Sequence, residues 1–300
     1  MLAGTSSHVA ECPDLGPTCA GAHPPTPFYH HVRLFTADVG LDASYGVAPW
    51  LAIEARFGVR VVGTTPHYNE LDGAPKLVPD DPHHHDETLV GPTDPWLVLR
   101  FAGAWSKLLS TARLGLTLPL GSTVPNPYLL GEEGKWHEHT QLGTGTFVPI
   151  VGLGLSYSLG PIDLDVSTLG LFSTYANTKG YRAPSRFFPA FRVTMPFLEG
   201  ALRPYLAAEI SAESGERWDG RPGSEGSDGR ADLLAGGGLV WRFQKAWRVD
   251  VGLRVHAAAL SGGAAFEYPG ILQLGVGTDF DLKSPIETGS QAAEREGAPR

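Results

Sequence analysis

The chain has 300 residues, with 38 glycines, 25 prolines, 18% charged residues and only 2 methionines, a balance that suits many strands separated by turns better than a helical fold. A net charge of −9 supplies no basic footprint and excludes nucleic acid as a partner. No run of about 18 apolar residues is present, which excludes a transmembrane helix but is blind to barrels, whose strands alternate.

Residues 1–31 are rich in Pro, Gly, Ala and His and lack periodicity, so they read as an irregular leader. Both cysteines, Cys12 and Cys19, lie in it, and their closeness suggests a disulfide formed in an oxidising compartment. No basic segment followed by an apolar run precedes the leader, so no secretory signal is visible.

A period of two begins near Val32. Phe35, Ala37, Val39, Leu41, Ala43 and Tyr45 alternate with Thr36, Asp38, Gly40, Asp42 and Ser44. After a short turn, Leu51, Ile53, Ala55, Phe57, Val59 and Val61 oppose Glu54, Arg56 and Arg60. Such alternation is a strand with one apolar and one charged face, and its length matches the roughly 9–11 residues of a tilted transmembrane strand. A polar stretch at 64–94 leads into a hairpin carrying Leu97, Leu99 and Phe101, then Ala112, Leu114, Leu116 and Leu118. Past 120–146 come Val151, Leu153, Leu155, Tyr157 and Leu159, the turn Gly160-Pro161, and Ile162, Leu164 and Val166. Phe191, Val193 and Met195 then turn into Leu202, Leu206, Ala208 and Ile210. Leu239, Trp241 and Phe243 turn into Trp247, Val249, Val251, Leu253 and Val255, and a last strand carries Leu272, Leu274, Val276 and Phe280. The polar tail, 282–300, reads as disordered.

Connections alternate between short (46–50, 105–108, 159–161, 197–201, 244–246) and long (64–94, 120–146, 174–186, 212–231, 261–269). Soluble sandwiches have no reason to alternate in this way, whereas outer-membrane barrels join strands by short periplasmic turns and long outer loops. Aromatics fall near strand ends (Tyr45, Trp50, Trp96, Trp105, Tyr157, Phe197, Trp241, Phe243, Trp247, Phe280), as interfacial girdles require. The predicted fold is all-β, an antiparallel up-and-down transmembrane β-barrel of about twelve strands over residues 32–281, in the outer membrane of a Gram-negative bacterium. A soluble barrel or sandwich with a buried greasy face is the alternative. About eleven strands are visible where an even number is the rule, so the first strand and the export signal are both expected upstream of Met1.

The segment 131–155, GEEGKWHEHTQLGTGTFVPIVGLGL, with Gln141, Leu142, Gly143, Thr144, Gly145, Thr146 and Phe147 leading into a Gly-rich strand, resembles a group of proteobacterial outer-membrane barrels. These are the transporter-like proteins compared with the "MetA-pathway of phenol degradation" proteins. The resemblance implies a channel-like outer-membrane protein for small hydrophobic or metal-related cargo, and it transfers no catalytic residues.

Two constellations carry chemistry. The loops hold His83, His84, His85, Asp86 and Glu87, and Trp136, His137, Glu138 and His139. Imidazoles and carboxylates are ligands for divalent transition metals, so a metal site at the outer mouth is predicted from His83, His85, Glu87, His137, Glu138 and His139, with solvated polar loops as the plainer alternative. The second set is the predicted lumen lining: Glu54, Arg56, Arg60, Arg100, Arg113, Asp163, Asp165, Arg192, Arg203, Glu209, Asp250, Arg254 and His256. It lines a polar pore, or it pairs across strands and plugs a narrow barrel. The expected role is a channel with a charged lumen that passes or binds a small solute or metal cargo. Its partners are outer-membrane lipid and the outer-membrane assembly machinery, and no catalysis is expected. A membrane-embedded hydrolase using Ser167 or Ser173 with His256, or a surface ligand-binding or adhesion barrel without transport, is the alternative.

Overall fold

The structure is a computed structural model that describes residues 2–10, 28–76, 86–133, 135–223, 229–243, 246–262 and 266–280. Its elements begin with β1 (Leu2–Ala10), β2 (Phe28–Ala48), β3 (Leu51–Glu70), β4 (Glu87–Pro92), β5 (Trp96–Trp105) and β6 (Leu108–Thr117). The short helix α1 (Pro127–Glu132) precedes β7 (Pro149–Ser158), β8 (Asp163–Leu171), β9 (Tyr181–Arg182), β10 (Arg186–Thr194) and β11 (Leu202–Ser214). Then come β12 (Arg217–Trp218), β13 (Arg221–Pro222), β14 (Gly229–Phe243), β15 (Trp247–Gly262) and β16 (Phe266–Thr278).

The hydrogen-bonded order is β2-β1-β16-β15-β14-β11-β10-β8-β7-β6-β5-β3-β4, and β2 also pairs with β3, so the ladder returns to its own start. β4 and β5 lie end to end along β3, opposite residues 59–64 and 51–56. Pro92 and Pro95 flank the break between them, where no proline N–H can enter a ladder, and the Thr93 N–H donates to Gly58 O at 2.9 Å. Among the described residues thirteen strands, two of them forming one stave, thus make a closed, antiparallel, up-and-down ring of twelve. The remaining strands, β9, β12 and β13, form a separate small sheet.

Alternate residues on the wall face outward and are apolar: Val39, Leu153, Leu206 and Leu274 are all exposed. Opposite them lies an interior face of glycine, serine and charge, with Val62, Val98, Ile150 and Leu234 buried among it. At the ends with short turns, Tyr45, Trp50, Trp105, Tyr157, Phe197, Trp241, Trp247 and Phe280 are exposed as an aromatic belt. The Trp50 ring stacks on Phe101 at 6.3 Å. Trp96 does not belong to that belt. The period of two puts it on the face of Arg100, and the Arg56 guanidinium sits over its ring at 5.3 Å.

Three further expectations need correction. The leader is not irregular throughout. Residues 2–10 form β1, paired with Phe28–Thr36 of β2 along its whole length and with Phe266–Ile271 of β16 at its start. This strand supplies the twelfth stave, which was expected upstream of Met1. LAGTSSHVA shows no apolar alternation because its pairing comes from backbone groups offered by two neighbours, and a ladder hydrogen bond needs no particular side chain. β2 also starts at Phe28, ahead of the expected Val32, and β3 continues past Val61 to Glu70, so its polar end belongs to the wall. There, among the described residues, Pro66 pairs only with Val32, because β4 reaches no further than Thr64 and leaves β3 an edge that tolerates proline. Cys12, Cys19 and the 282–300 tail lie outside the described residues.

Candidate solute pathway in the barrel interior

On a concave wall, side chains from strands two apart converge, so long polar groups can meet over the strand between them. Glu54 on β3 receives Arg100 Nε from adjacent β5 at 2.6 Å and Arg113 Nε from β6, one strand further, at 2.9 Å. Arg203 on β11 reaches over β10 to Asp163 on β8 at 2.8 Å, and Arg254 on β15 reaches over β14 to Glu209 on β11 at 2.9 Å. Adjacent strands add Arg60 with Asp38 at 2.7 Å and Arg56 with Asp42 at 3.6 Å. Sequence reasoning missed Asp38 and Asp42 as partners, although both share the parity of Arg56 and Arg60 through the register of β2 with β3.

A second group is layered. Tyr205 is buried and its hydroxyl donates to Asp250 Oδ1 at 3.2 Å, while Arg192 lies with its guanidinium carbon 4.1 Å from the centre of the Tyr205 ring. A Cβ on Gly238 or Gly252 would come within 2.5 Å of the Tyr205 hydroxyl, so these two glycines form the floor on which the ring rests. Asp165 accepts from the Ser156 hydroxyl. Where β7 carries Gly154 and Ser156 the interior is not filled, and a cavity of about 340 Å³ opens, lined by Thr111, Arg113, Ser167, Arg192, Glu209 and Arg254 among others.

A third group gathers on buried Asp232. It receives Arg230 Nε at 2.6 Å and Nη2 at 3.0 Å, the Tyr268 hydroxyl at 3.2 Å, and contacts His256 Nε2 at 3.0 Å. Neither Ser167 nor Ser173 hydrogen-bonds His256 among the described residues. Ser167 pairs with Gly154 and Ala190, and the Ser173 amide donates to Ser185 Oγ. The nucleophile and base of a hydrolase are therefore not brought together from these residues.

At the long-loop end, the stretch Gln141 to Phe147 ties the connections down. Asp94 is buried, its Oδ1 accepting from Gly121 N–H at 2.8 Å and its Oδ2 from the Thr144 amide and hydroxyl, both at 2.7 Å. Gln141 Oε1 accepts from Val124 N–H at 2.9 Å. Gly121 and Gly143 pack so closely that a Cβ on the first would stand 2.6 Å from the second's Cα. Nothing in the sequence around Asp94 distinguished it from other loop acids. Asn126 caps α1 through its Oδ1 and donates Nδ2 to Asp219 Oδ2 at 2.8 Å, while Tyr128 packs on Tyr181, Ala183 and Trp218. Burial, then the charge of Glu216, raises the Tyr181 phenol above its ordinary pKa.

The predicted metal ligands are found in two pieces. Glu138 is hydrogen-bonded to Glu87, and the His137 ring stands edge-on to His139 at 5.1 Å. His137 is buried, its Nδ1 2.8 Å from Lys135 O. Burial, the hydrogen bond and the charge of Glu87 push Glu138 up to about 8. His83, His84 and His85 lie outside the described residues. Among the described residues no three His, Cys, Asp or Glu converge to hold a metal ion.

No protein-family model matches the chain, and no curated protein matches it. Among solved structures it resembles an outer membrane channel from Pseudomonas putida F1, with 11% identity over 93% of this chain and 94% of that one and a TM-score of 0.55. OmpF of Salmonella typhi, in complex with daunomycin, aligns over 92% of this chain and 97% of that one at 10% identity, but its TM-score of 0.32 is too low to bear on the fold. The first likeness is one of architecture, and it agrees with the closed ring and its apolar exterior: the chain has the fold of an outer-membrane β-barrel.

Proposed function

We propose that the protein is a channel that passes small solutes across the outer membrane of a Gram-negative bacterium. The observation that carries this reading is the interior face: a twelve-stave ring with an apolar outside keeps charge, hydroxyls and an unfilled cavity within. Cross-strand pairing holds most of those charges to the wall, and the cavity left open beside the pairs supports a lined pathway over a barrel that they plug. The solved barrel from Pseudomonas putida that it resembles is itself described as a channel. Outer-membrane lipid is the partner of the apolar face, and the outer-membrane assembly machinery is the partner that inserts it. Planar-bilayer recording on the purified protein tests the proposal. Discrete conductance steps are expected, and bilayers that stay silent although the protein is folded and inserted would overturn it.

A further inference from the structure

We infer that the interior cavity is an anion subsite that takes the carboxylate group of a small organic acid, with Arg192 as the residue that recognises it. The inference deepens the channel reading by naming a solute class, and the test below separates the two.

Arg192 differs from the other cavity arginines. Arg113 is held by Glu54 and Arg254 by Glu209, whereas among the described residues Arg192 has no carboxylate within ion-pair distance. Its cross-strand neighbour Asp165 takes the Ser156 hydroxyl instead. What holds Arg192 is a ring face: the guanidinium lies on Tyr205, Tyr205 lies on Gly238 and Gly252, and its hydroxyl is tied to Asp250. Stacking engages the flat face of a guanidinium and leaves its N–H edge free, and that edge matches the two oxygens of a carboxylate. The cation is thus oriented before any ligand arrives, which lowers the ordering cost of binding.

The surroundings agree with this assignment. Of the three guanidinium groups on the lining, Arg113 is held by Glu54 and Arg254 by Glu209, which leaves Arg192 as the lining cation held by a ring face, with Asp165 turned to the Ser156 hydroxyl. Thr111 and Ser167 add hydroxyls to the lining, and Gly154 leaves room for Thr111 because a Cβ there would meet its Oγ1 at 2.6 Å. A volume of about 340 Å³ accommodates a small organic molecule.

Calorimetry on the folded full-length protein in detergent, with sodium benzoate, uncharged benzamide and inorganic phosphate as probes, tests the subsite without relying on conductance. Benzoate is expected to bind about tenfold or more tightly than either other probe. Arg192→Gln should abolish that preference, and Arg192→Lys, which keeps the charge but loses the fork, should retain a reduced part of it. Arg217→Gln, at an exposed position on β12, should leave the preference intact. Benzamide or phosphate binding as tightly as benzoate would overturn the proposal. So would an unchanged benzoate affinity in an Arg192→Gln or Arg192→Lys protein whose heat-modifiable gel mobility shows it folded. A protein that binds benzoate through Arg192 yet does not conduct keeps the subsite and loses the channel reading.

Discussion

Arg254 on β15 places its Nη1 2.9 Å from Oε2 of Glu209 on β11, and β14, hydrogen-bonded to both strands, runs between them. A concave wall favours a chord of this kind, because it brings the side chains of strands two apart toward each other. Both side chains are partly screened, at 30% and 18% exposure. A double-mutant cycle with Arg254→Ala and Glu209→Ala, read by urea unfolding from vesicles, should give a coupling of about 1 kcal/mol that shrinks with added salt. Strict additivity would show that the chord contributes nothing to stability.

Asp232 is 2% exposed and gathers Arg230, His256 and Tyr268. Replacing it with alanine strands the Arg230 guanidinium beside a lost acceptor, and about 3 kcal/mol of stability should disappear. Asp232→Asn keeps two of the contacts in shape and should cost less. Thermal unfolding monitored by circular dichroism ranks the two variants.

The outward face predicts a dependence on depth. Leu153 lies midway along β7 and is 58% exposed, whereas Val276 lies near the short-turn end of β16. Leu153→Arg should cost about 2–4 kcal/mol and Val276→Arg about 0–1 kcal/mol when folding is measured in lipid vesicles. Equal costs would contradict the assignment of this face to the membrane.

Glu138 beside Glu87 sets a pH response at the loops. The folded pKa is raised from 4.5 to about 8, so the protonated form is the one the docked loop favours. Its stabilising contribution is fully present below about pH 4.5 and is lost as pH rises through about 8. Protease cleavage of the 135–142 segment should therefore quicken as pH rises over that window. Glu138→Gln should flatten the dependence, and a wild-type cleavage rate constant from pH 4 to 9 once the protease's own profile is subtracted would contradict it.

Gly238 tests the floor under Tyr205. An added Cβ would stand 2.3 Å from Val251 O and 2.5 Å from the Tyr205 hydroxyl, so the backbone or the ring must move. Gly238→Ala should cost about 1–3 kcal/mol in unfolding experiments. Gly46→Ala, with nothing within 4 Å of its Cβ, is the matched control and should be near neutral.

Much of this was legible in the sequence. Leu51 to Val61 announces a strand with two unlike faces, and the short and long connections place the hairpins. What the pattern did not show was β1, whose small polar residues carry no alternation, or the end of β3, whose polar residues resemble a loop. Asp94 also went unnoticed, since its three acceptor contacts come from residues 27 and 50 positions away in the chain. The histidine and acid clusters were visible; His83, His84 and His85 lie outside the described residues, and among those described no three such side chains converge.

The sequence by itself determined which side of the wall most residues of its alternating strands take, because the two-residue period is built into an extended backbone whatever its neighbours are. It thereby determined the membrane-facing surface and the charged interior. Only the tertiary structure decided which charges meet. That depends on the stagger between strands and on a curvature that brings strands two apart within reach, and neither is written in local order. The same geometry pairs Arg254 with Glu209 and leaves Arg192 resting on Tyr205, facing the cavity.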